Sequence, residues 1–440
     1  MRVLRVYHGG RDPAHRLRER ALVAAGAQVT LVVPDRWPGS HLGVVTEPGV
    51  EIVTLPVVRP GDVNRHRYAD GDGLRRAIAA ARPDVLDLHE EPVSEVTRQV
   101  LTGAPARLPV AMYTAQNLDK RFPPPYSWRE RQALGRVDAL YPCARQAASV
   151  ARGKGFAGLV RVLPLGYDPE VLRPGDQALE DGELVLGLVG RLVPEKGLLD
   201  AVEVTARLHR ARPTRLLVVG SGPDLPLARD RAAQLGIGDR LEVVEWVDRH
   251  RLAECYRRMH VVLLPSRAMA RWVEQFGRVI VEAHASGAVV AGYATGSIPE
   301  VSAGAAVLVS DGDVAALGVG VQRLIDDPQQ WRRRRELGLR LSATRTWEAV
   351  AVQQLAVYAE LLTRGAGDRR TVRLTTAADR AHAVAEFGPP ATAGVQRRPF
   401  AIPVLRDHPP VSEALGRVLD RATATAAALG HIGPSGHGGA

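Results

Sequence analysis

A chain of 440 residues, 45% hydrophobic and 24% charged, is globular material too long for one simple core, so two domains of about 150–200 residues are expected. No apolar run approaches the ~18 residues of a membrane span, and Cys143 and Cys255 lie too far apart for a metal-type spacing, which sets aside a disulfide framework and fits a reducing cytoplasm. The net charge is +10, with 24 Lys/Arg against 16 Asp/Glu in residues 1–165; this suits a phosphorylated ligand or an anionic membrane surface, while the lack of a dense basic run argues against nucleic acid.

The chain opens on RVLRVY (2–7), too short an apolar stretch for a signal peptide and read as a first strand. HGGRDP is a turn, HRLRERALVAAG a helix ending at Gly26, and AQVTLVVP (27–34) a second strand closed by proline. PDVLDLH (83–89), LPVAMYT (108–114) and DALYPC (138–143) continue as short buried strands, with helical stretches such as GLRRAIAAAR between several of them. Strand and helix in alternation imply a parallel sheet covered on both faces.

A Pro/Gly-rich stretch, VRVLPLGYDPEVLRPGD (160–176), has the composition of a linker, and the pattern restarts after it. ELVLGLVGR (183–191), RLLVVGSG (215–222), LEVVEWV (241–247), MHVVLLPS (259–266), GAVVAGY (287–293) and AAVLVS (305–310) read as strands with helices between. The expected division is a first domain at 1–165, a second at 166–345, a helix at 346–364 that can cross back to the first, and an Ala/Arg/Pro/Gly-rich tail at 365–440. Within that tail RPFAIPVL (398–405) is strand-like, SEALGRVLDRATATAAALG (412–430) helical, and HIGPSGHGGA disordered in character. Two doubly wound halves should bind ligands between them, at the carboxyl ends of their strands.

GLVGRLVPEKG (187–197) puts Arg191 directly after a strand and Lys196 before a helix, where both could hold a diphosphate; two solvated cations are the plainer alternative. VVGSGPD (218–224) is a glycine turn explained as well by packing as by a ligand. In EQFGRVIVE (274–282), Gly277 enters a helix over 277–286 and leaves room for a negative group near backbone N–H donors. Glu274 before the helix and Glu282 inside it can each accept hydrogen bonds from sugar hydroxyls, or can simply form surface salt bridges.

Taken in order, GR…EKG, VGSGP, E-x7-E and ATGSIPE (294–300) resemble glycosyltransferase family 4, retaining GT-B enzymes that use nucleotide sugars. The likeness is most specific over 184–325 and looser in the first half, where LHEEP (88–92), YTAQNLDKRFPPPYSW (113–128) and LPLGYDPEVLRP (163–174) are similar to a bacterial subgroup. The resemblance implies an α/β fold of two Rossmann-like domains, with Arg191, Lys196 and Glu274 as catalytic residues. Arg191 and Lys196 would neutralise the donor diphosphate, and Glu274 with the amides of Phe276 and Gly277 would contact the transferred sugar. The amides of Arg278 and Val279 would meet the phosphates, Glu282 the ribose, and Gly10 the diphosphate from the opposite wall. Transfer would be front-face, without a covalent enzyme intermediate.

In the first domain the sequence departs from the family at the strand end AMYTAQN, which holds no histidine. His89, Glu91, Gln116 and Asn117 are the acceptor-side candidates, with His8 a further one. Asp70-Gly71-Asp72 and Asp311-Gly312-Asp313 have the DxD spacing of some metal sites, but turn chemistry explains them and no metal or other cofactor is expected. The expected activity moves a hexose-type sugar from a UDP- or GDP-sugar to an unidentified hydroxyl acceptor, in a cytoplasmic protein that can touch an anionic membrane peripherally. A GT-B sugar phosphorylase and a non-catalytic nucleotide-sugar-binding protein are the rival readings.

Overall fold

The computed structural model describes residues 1–40, 46–179, 182–245, 247–364 and 377–393. The strands are β1 (Arg2–Val6), β2 (Gln28–Pro34), β3 (Val50–Leu55), β4 (Val57–Val58), β5 (Arg67–Tyr68), β6 (Val85–Leu88), β7 (Val110–Thr114), β8 (Ala139–Pro142) and β9 (Leu159–Val160) in the first half. In the second they are β10 (Leu184–Val189), β11 (Thr214–Val219), β12 (Leu241–Val244), β13 (Val261–Leu264), β14 (Val289–Tyr293) and β15 (Val307–Val309). One sheet runs β3-β2-β1-β6-β7-β8-β9 and the other β12-β11-β10-β13-β14-β15, while β4 and β5 form a small ribbon. The recorded pairings within both large sheets are parallel.

The central strands are covered on both faces, which is why they read as apolar runs rather than alternating ones: Leu86, Leu88, Val110, Met112, Val261 and Val262 are fully buried. Strand order reverses beside β1 and again beside β10, and at such a switch point the loops leaving neighbouring strands diverge and open a crevice. The loops after β1 and β6 in one unit, and after β10 and β13 in the other, therefore carry the residues of interest. β3 is an element the sequence pattern did not single out. It lies at the sheet edge between Pro48 and Pro56, and its half-exposed residues weaken the apolar signal.

The segment 160–176 is only partly a linker, since Leu159–Val160 adds β9 to the first sheet. Further on, Tyr167 and the start of the helix Trp347–Arg364 run side by side, with Tyr167 N–H donating to Arg345 O and Trp347 N–H to Tyr167 O. That helix then leaves the second unit and packs on the first, where Ala351, Val357, Tyr358 and Leu361 join the core with β1 and β2. Gln354 donates to Asp87 at 2.9 Å, and the Tyr358 hydroxyl also donates to Asp87.

The composition of 365–440 suggested little order, yet Ala377–Phe387 is a helix packed against Arg145–Gly153. Its alanine content hides the buried contact at Ala383. The segments at 398–405 and 412–430 lie outside the described residues. Among the described residues no helix is long and apolar enough to cross a membrane. Both cysteines are free and buried.

Candidate active site

The loop after β10 carries Gly190 and Arg191 and tightens into a short 3-10 turn, Pro194–Lys196. Arg191 projects outward, its side chain 57% exposed and 4.0 Å from Glu195. Lys196 turns inward: its Nζ donates to Glu274 Oε2 at 2.6 Å and lies 4.8 Å from the centre of the Trp272 ring. Ser266, from the loop after β13, donates to the same carboxylate oxygen at 3.2 Å.

Glu274 is held from behind as well. Its backbone carbonyl accepts from Ser297 N–H at 3.0 Å and from the Asn117 amide, in the other unit, at 2.9 Å. Gly296 sits so close that a Cβ there would fall 2.3 Å from that carbonyl, at a φ of +51°. The ATGSIPE stretch thus forms a seat for the Glu274 segment. Its last residue, Glu300, accepts the Arg145 N–H of the first unit at 2.8 Å.

The helix Arg278–Ala285 begins at Gly277, whose φ of +78° suits a residue without a side chain. The amides of Arg278 and Val279 occupy its first turn, where no intrahelical carbonyl is available. Phe276 is buried in an apolar cluster that also holds Ala115 and Cys143 of the first unit, so it anchors the segment as well as offering its amide. Along the helix, Glu282 accepts from the Tyr256 hydroxyl at 2.9 Å and from Arg278 at 3.2 Å. The Glu282 carboxylate raises the Arg278 guanidinium above its ordinary value, against the opposing effect of burial. Tyr256, in the helix Arg249–Arg258, gave no sequence signal, because a buried tyrosine reads as core.

Facing this wall is the loop after β1, a 3-10 turn at His8–Arg11. Gly10 is buried in it, but its N–H is engaged with Tyr7 O at 3.2 Å and its carbonyl accepts from Arg16 at 2.6 Å. Close approach of the chain, rather than a free N–H, is what Gly10 offers. Tyr7 interacts electrostatically with Arg278 of the second unit, and burial pushes its phenol up to about 12.

The acceptor-side candidates separate. Glu91 and Gln116 line a cavity of about 150 Å³ in the first unit, together with Thr114, Lys120, Glu130 and Lys154. Glu91 accepts from the Thr114 hydroxyl and the Ala115 N–H, both at 2.8 Å, while burial raises its carboxyl above the usual range. Lys154 donates to Glu130 at 2.6 Å, so part of the cavity's charge is internally paired.

Asn117 reaches across to the other unit. It is 2% exposed and its amide braces Glu274, which makes it a tie between the units. His89 is surrounded by aromatic rings. Its ring stacks on Tyr113 at 4.2 Å and meets Tyr7 edge-on at 4.5 Å, and burial with the nearby Arg18 cation pushes its pKa well down. The neutral ring is favoured at this strand end. Asp70 and Asp313 cap the starts of helices, accepting from Gly73 and Ala316, and Asp311 accepts from Ala268 N–H.

Two facing Rossmann-like sheets, with paired cations and carboxylates where their strand-end loops meet, define the GT-B glycosyltransferase architecture. The solved structures agree: sucrose-phosphate synthase from Thermosynechococcus elongatus superposes with a TM-score of 0.64 at 21% identity, covering 82% of this chain and 99% of that one. The model for glycosyl transferases group 1 matches residues 174–339, and that for the glycosyl transferase 4-like domain matches 16–166. The chain is 30% identical over 332 residues to D-inositol 3-phosphate glycosyltransferase 1 of Catenulispora acidiphila, covering 70% of this chain and 75% of the relative. It is 32% identical over 258 residues to the D-inositol 3-phosphate glycosyltransferase of Stackebrandtia nassauensis, covering 54% of this chain and 57% of the relative. Several curated relatives are matched over only about half their length. The chain belongs to the group 1 glycosyl transferases of family 4.

Proposed function

We propose that the protein is a retaining glycosyltransferase that moves a hexose-type sugar from a UDP- or GDP-sugar to an acceptor hydroxyl. The observation that carries this reading is the Lys196–Glu274 contact at 2.6 Å, made beside a helix start that carries Gly277, with Glu282 further along the same helix. Ammonium, carboxylate and amides are the groups that a sugar joined to a diphosphate needs, in that order along one wall.

Breaking the bond between sugar and diphosphate builds negative charge on the leaving phosphate and positive charge on the sugar. Arg191 and Lys196 stabilise the former, and donors placed in advance at a developing charge are worth about 3–4 kcal/mol each. Glu274 holds the sugar hydroxyls and Glu282 the ribose diol. The departing phosphate takes the acceptor proton on the same face, so no enzyme nucleophile and no added metal is used.

The cavity beside Glu91 and Gln116 supports an acceptor on the first unit. A phosphorylated alcohol is the first class to test, since both relatives are named for inositol phosphate and the first half is basic. The reading is tested by melting the protein with UDP, GDP, ADP and TDP, then with the matching sugars and inorganic phosphate. Ligand at ~100 times its dissociation constant adds about 2.7 kcal/mol. Stabilisation by UDP or GDP, followed by slow donor hydrolysis, supports transfer; a response to phosphate alone points to a phosphorylase, and binding without turnover to a non-catalytic protein.

A further inference from the structure

Three loops at the carboxyl edge of the first sheet bring together His8 after β1, His66 just before β5 and Glu90 after β6, and their candidate ligand atoms all lie within 4.8 Å of one another. Glu90 accepts the His8 N–H at 2.7 Å, and His8 Nδ1 lies 2.8 Å from each of its oxygens. His66 Nε2 lies 3.9 Å from Glu90 Oε1 and has no hydrogen-bond partner, although the residue is 1% exposed.

The tautomer of His66 follows from its other nitrogen. Nδ1 lies 3.0 Å from the Asp62 carbonyl, which can only accept, so Nδ1 carries the proton. Nε2 then turns a bare lone pair toward a carboxylate, and two buried acceptors face each other across a short gap. A positive species between them resolves the conflict. An imidazole whose Nδ1–H is fixed on a backbone carbonyl is also the usual arrangement behind a metal–histidine bond, because it sets both ring orientation and lone pair.

We propose that His8, His66 and Glu90 form a binding site for a divalent cation of the zinc type. Two imidazole nitrogens and one carboxylate are a borderline donor set that favours zinc over magnesium or calcium, which prefer oxygen ligands. Bonds of about 2.0–2.2 Å place tetrahedral ligand atoms about 3.4 Å apart, so small side-chain rotations must draw the cluster inward. Trp37 packs against both rings, 4.5 Å from His8 and 4.9 Å from His66, and limits other movements. The ion clamps together three loops, one of which carries Gly10. The site lies on the first unit, apart from Arg191 and Lys196, and its existence does not depend on the proposed transfer reaction.

The test uses the full chain, stripped with chelator, dialysed, and titrated calorimetrically with zinc chloride alone and separately with magnesium chloride. One zinc site of micromolar or tighter affinity is expected, with magnesium at least ten-fold weaker. His66→Ala and Glu90→Gln, each confirmed as folded by circular dichroism, should weaken zinc at least ten-fold. X-ray absorption at the zinc edge of the unmutated protein should show two imidazole ligands, a readout that does not require any variant to fold. No binding, fewer than two imidazoles, or unchanged affinity in folded His66→Ala overturns the proposal; the last would assign the ion to histidines elsewhere, such as His431 and His437.

Discussion

Lys196 and Glu274 come from separate segments of the second unit, one from the loop after β10 and the other from the segment before the helix Arg278–Ala285, and meet at 2.6 Å. Their side chains are 18% and 10% exposed, so neither can exchange its partner freely for water. In the proposed reaction a diphosphate sugar would supply each with a new partner, the phosphate for the ammonium and the sugar hydroxyls for the carboxylate.

Lys196→Ala is therefore expected to lower kcat by roughly 10²–10³, the loss seen when one donor at a developing oxyanion is removed. Lys196→Arg should recover only part of it, because a planar guanidinium does not reproduce the compact ammonium between Glu274 and Trp272. Steady-state transfer or donor hydrolysis measures both. Retention of wild-type kcat in the alanine variant would remove Lys196 from the chemistry.

Under the proposed function Glu282 acts on donor binding. It accepts from Tyr256 and Arg278, and a ribose would add to those contacts. Hydrogen bonds to a charged group contribute about 1.5–3 kcal/mol, so Glu282→Ala should raise the donor KM about ten-fold or more with a much smaller change in kcat. Tyr256→Phe, which removes only the orienting hydroxyl, should change KM by a smaller factor. A fall in kcat at constant KM would assign Glu282 to the reacting centre instead.

The returning tail bears on the same site. Ala391 N–H donates to Asn117 O at 2.9 Å, and Ala391 packs with Leu118 of the first unit and Val273 of the second, next in sequence to Glu274. Ending the chain at residue 364 removes this wedge and the helix Ala377–Phe387. The expected results are a lower melting temperature, by about 2–4 °C for each kcal/mol lost, and a rise in donor KM. Asn117→Ala should reproduce the kinetic effect with the tail intact. If both truncation and substitution leave KM unchanged, the wedge does not position Glu274.

Charge placement also predicts the response to chelation. If Arg191 and Lys196 supply the charge at the diphosphate as proposed, and with Asp70, Asp311 and Asp313 engaged with backbone N–H groups and Asp72 paired with Arg75, turnover should continue in EDTA without added magnesium or manganese. Loss of turnover, restored by either ion, would contradict this.

Much of the fold was legible because parallel strands buried on both faces leave unbroken apolar runs, as in LVLGLV at β10 and VVLL at β13. Edge strands such as β3 leave weaker patterns. The positions of Arg191, Lys196, Glu274 and Glu282 at strand ends and beside a helix start follow local patterns in the sequence, while their roles rest on the proposed function. Asn117, Tyr256 and the ATGSIPE seat act through contacts between residues 22–157 positions apart, which no local pattern encodes. The ring stacking of His89 on Tyr113 is likewise a contact that no local pattern encodes.

His284 gives a prediction about acid stability. It lies on the same helix as Glu282, 1% exposed, with both ring nitrogens lacking a hydrogen-bond partner, and it packs tightly on Gly338. Burial, with the Arg345 cation, lowers its pKa from 6.5 to about 4. Between these values the unfolded chain binds a proton that the folded chain does not, so stability is full above pH 6.5 and drains away as pH falls toward 4. At about 1.4 kcal/mol per pKa unit, the loss approaches ~3 kcal/mol. His284→Leu keeps a similar volume and removes the titration, so its unfolding free energy relative to the wild type should rise as pH is lowered from 7 to 5. Denaturant melts at the two pH values measure this difference directly. A constant offset between variant and wild type would mean that His284 titrates alike in the folded and unfolded chains, and that its burial does not govern the acid limb.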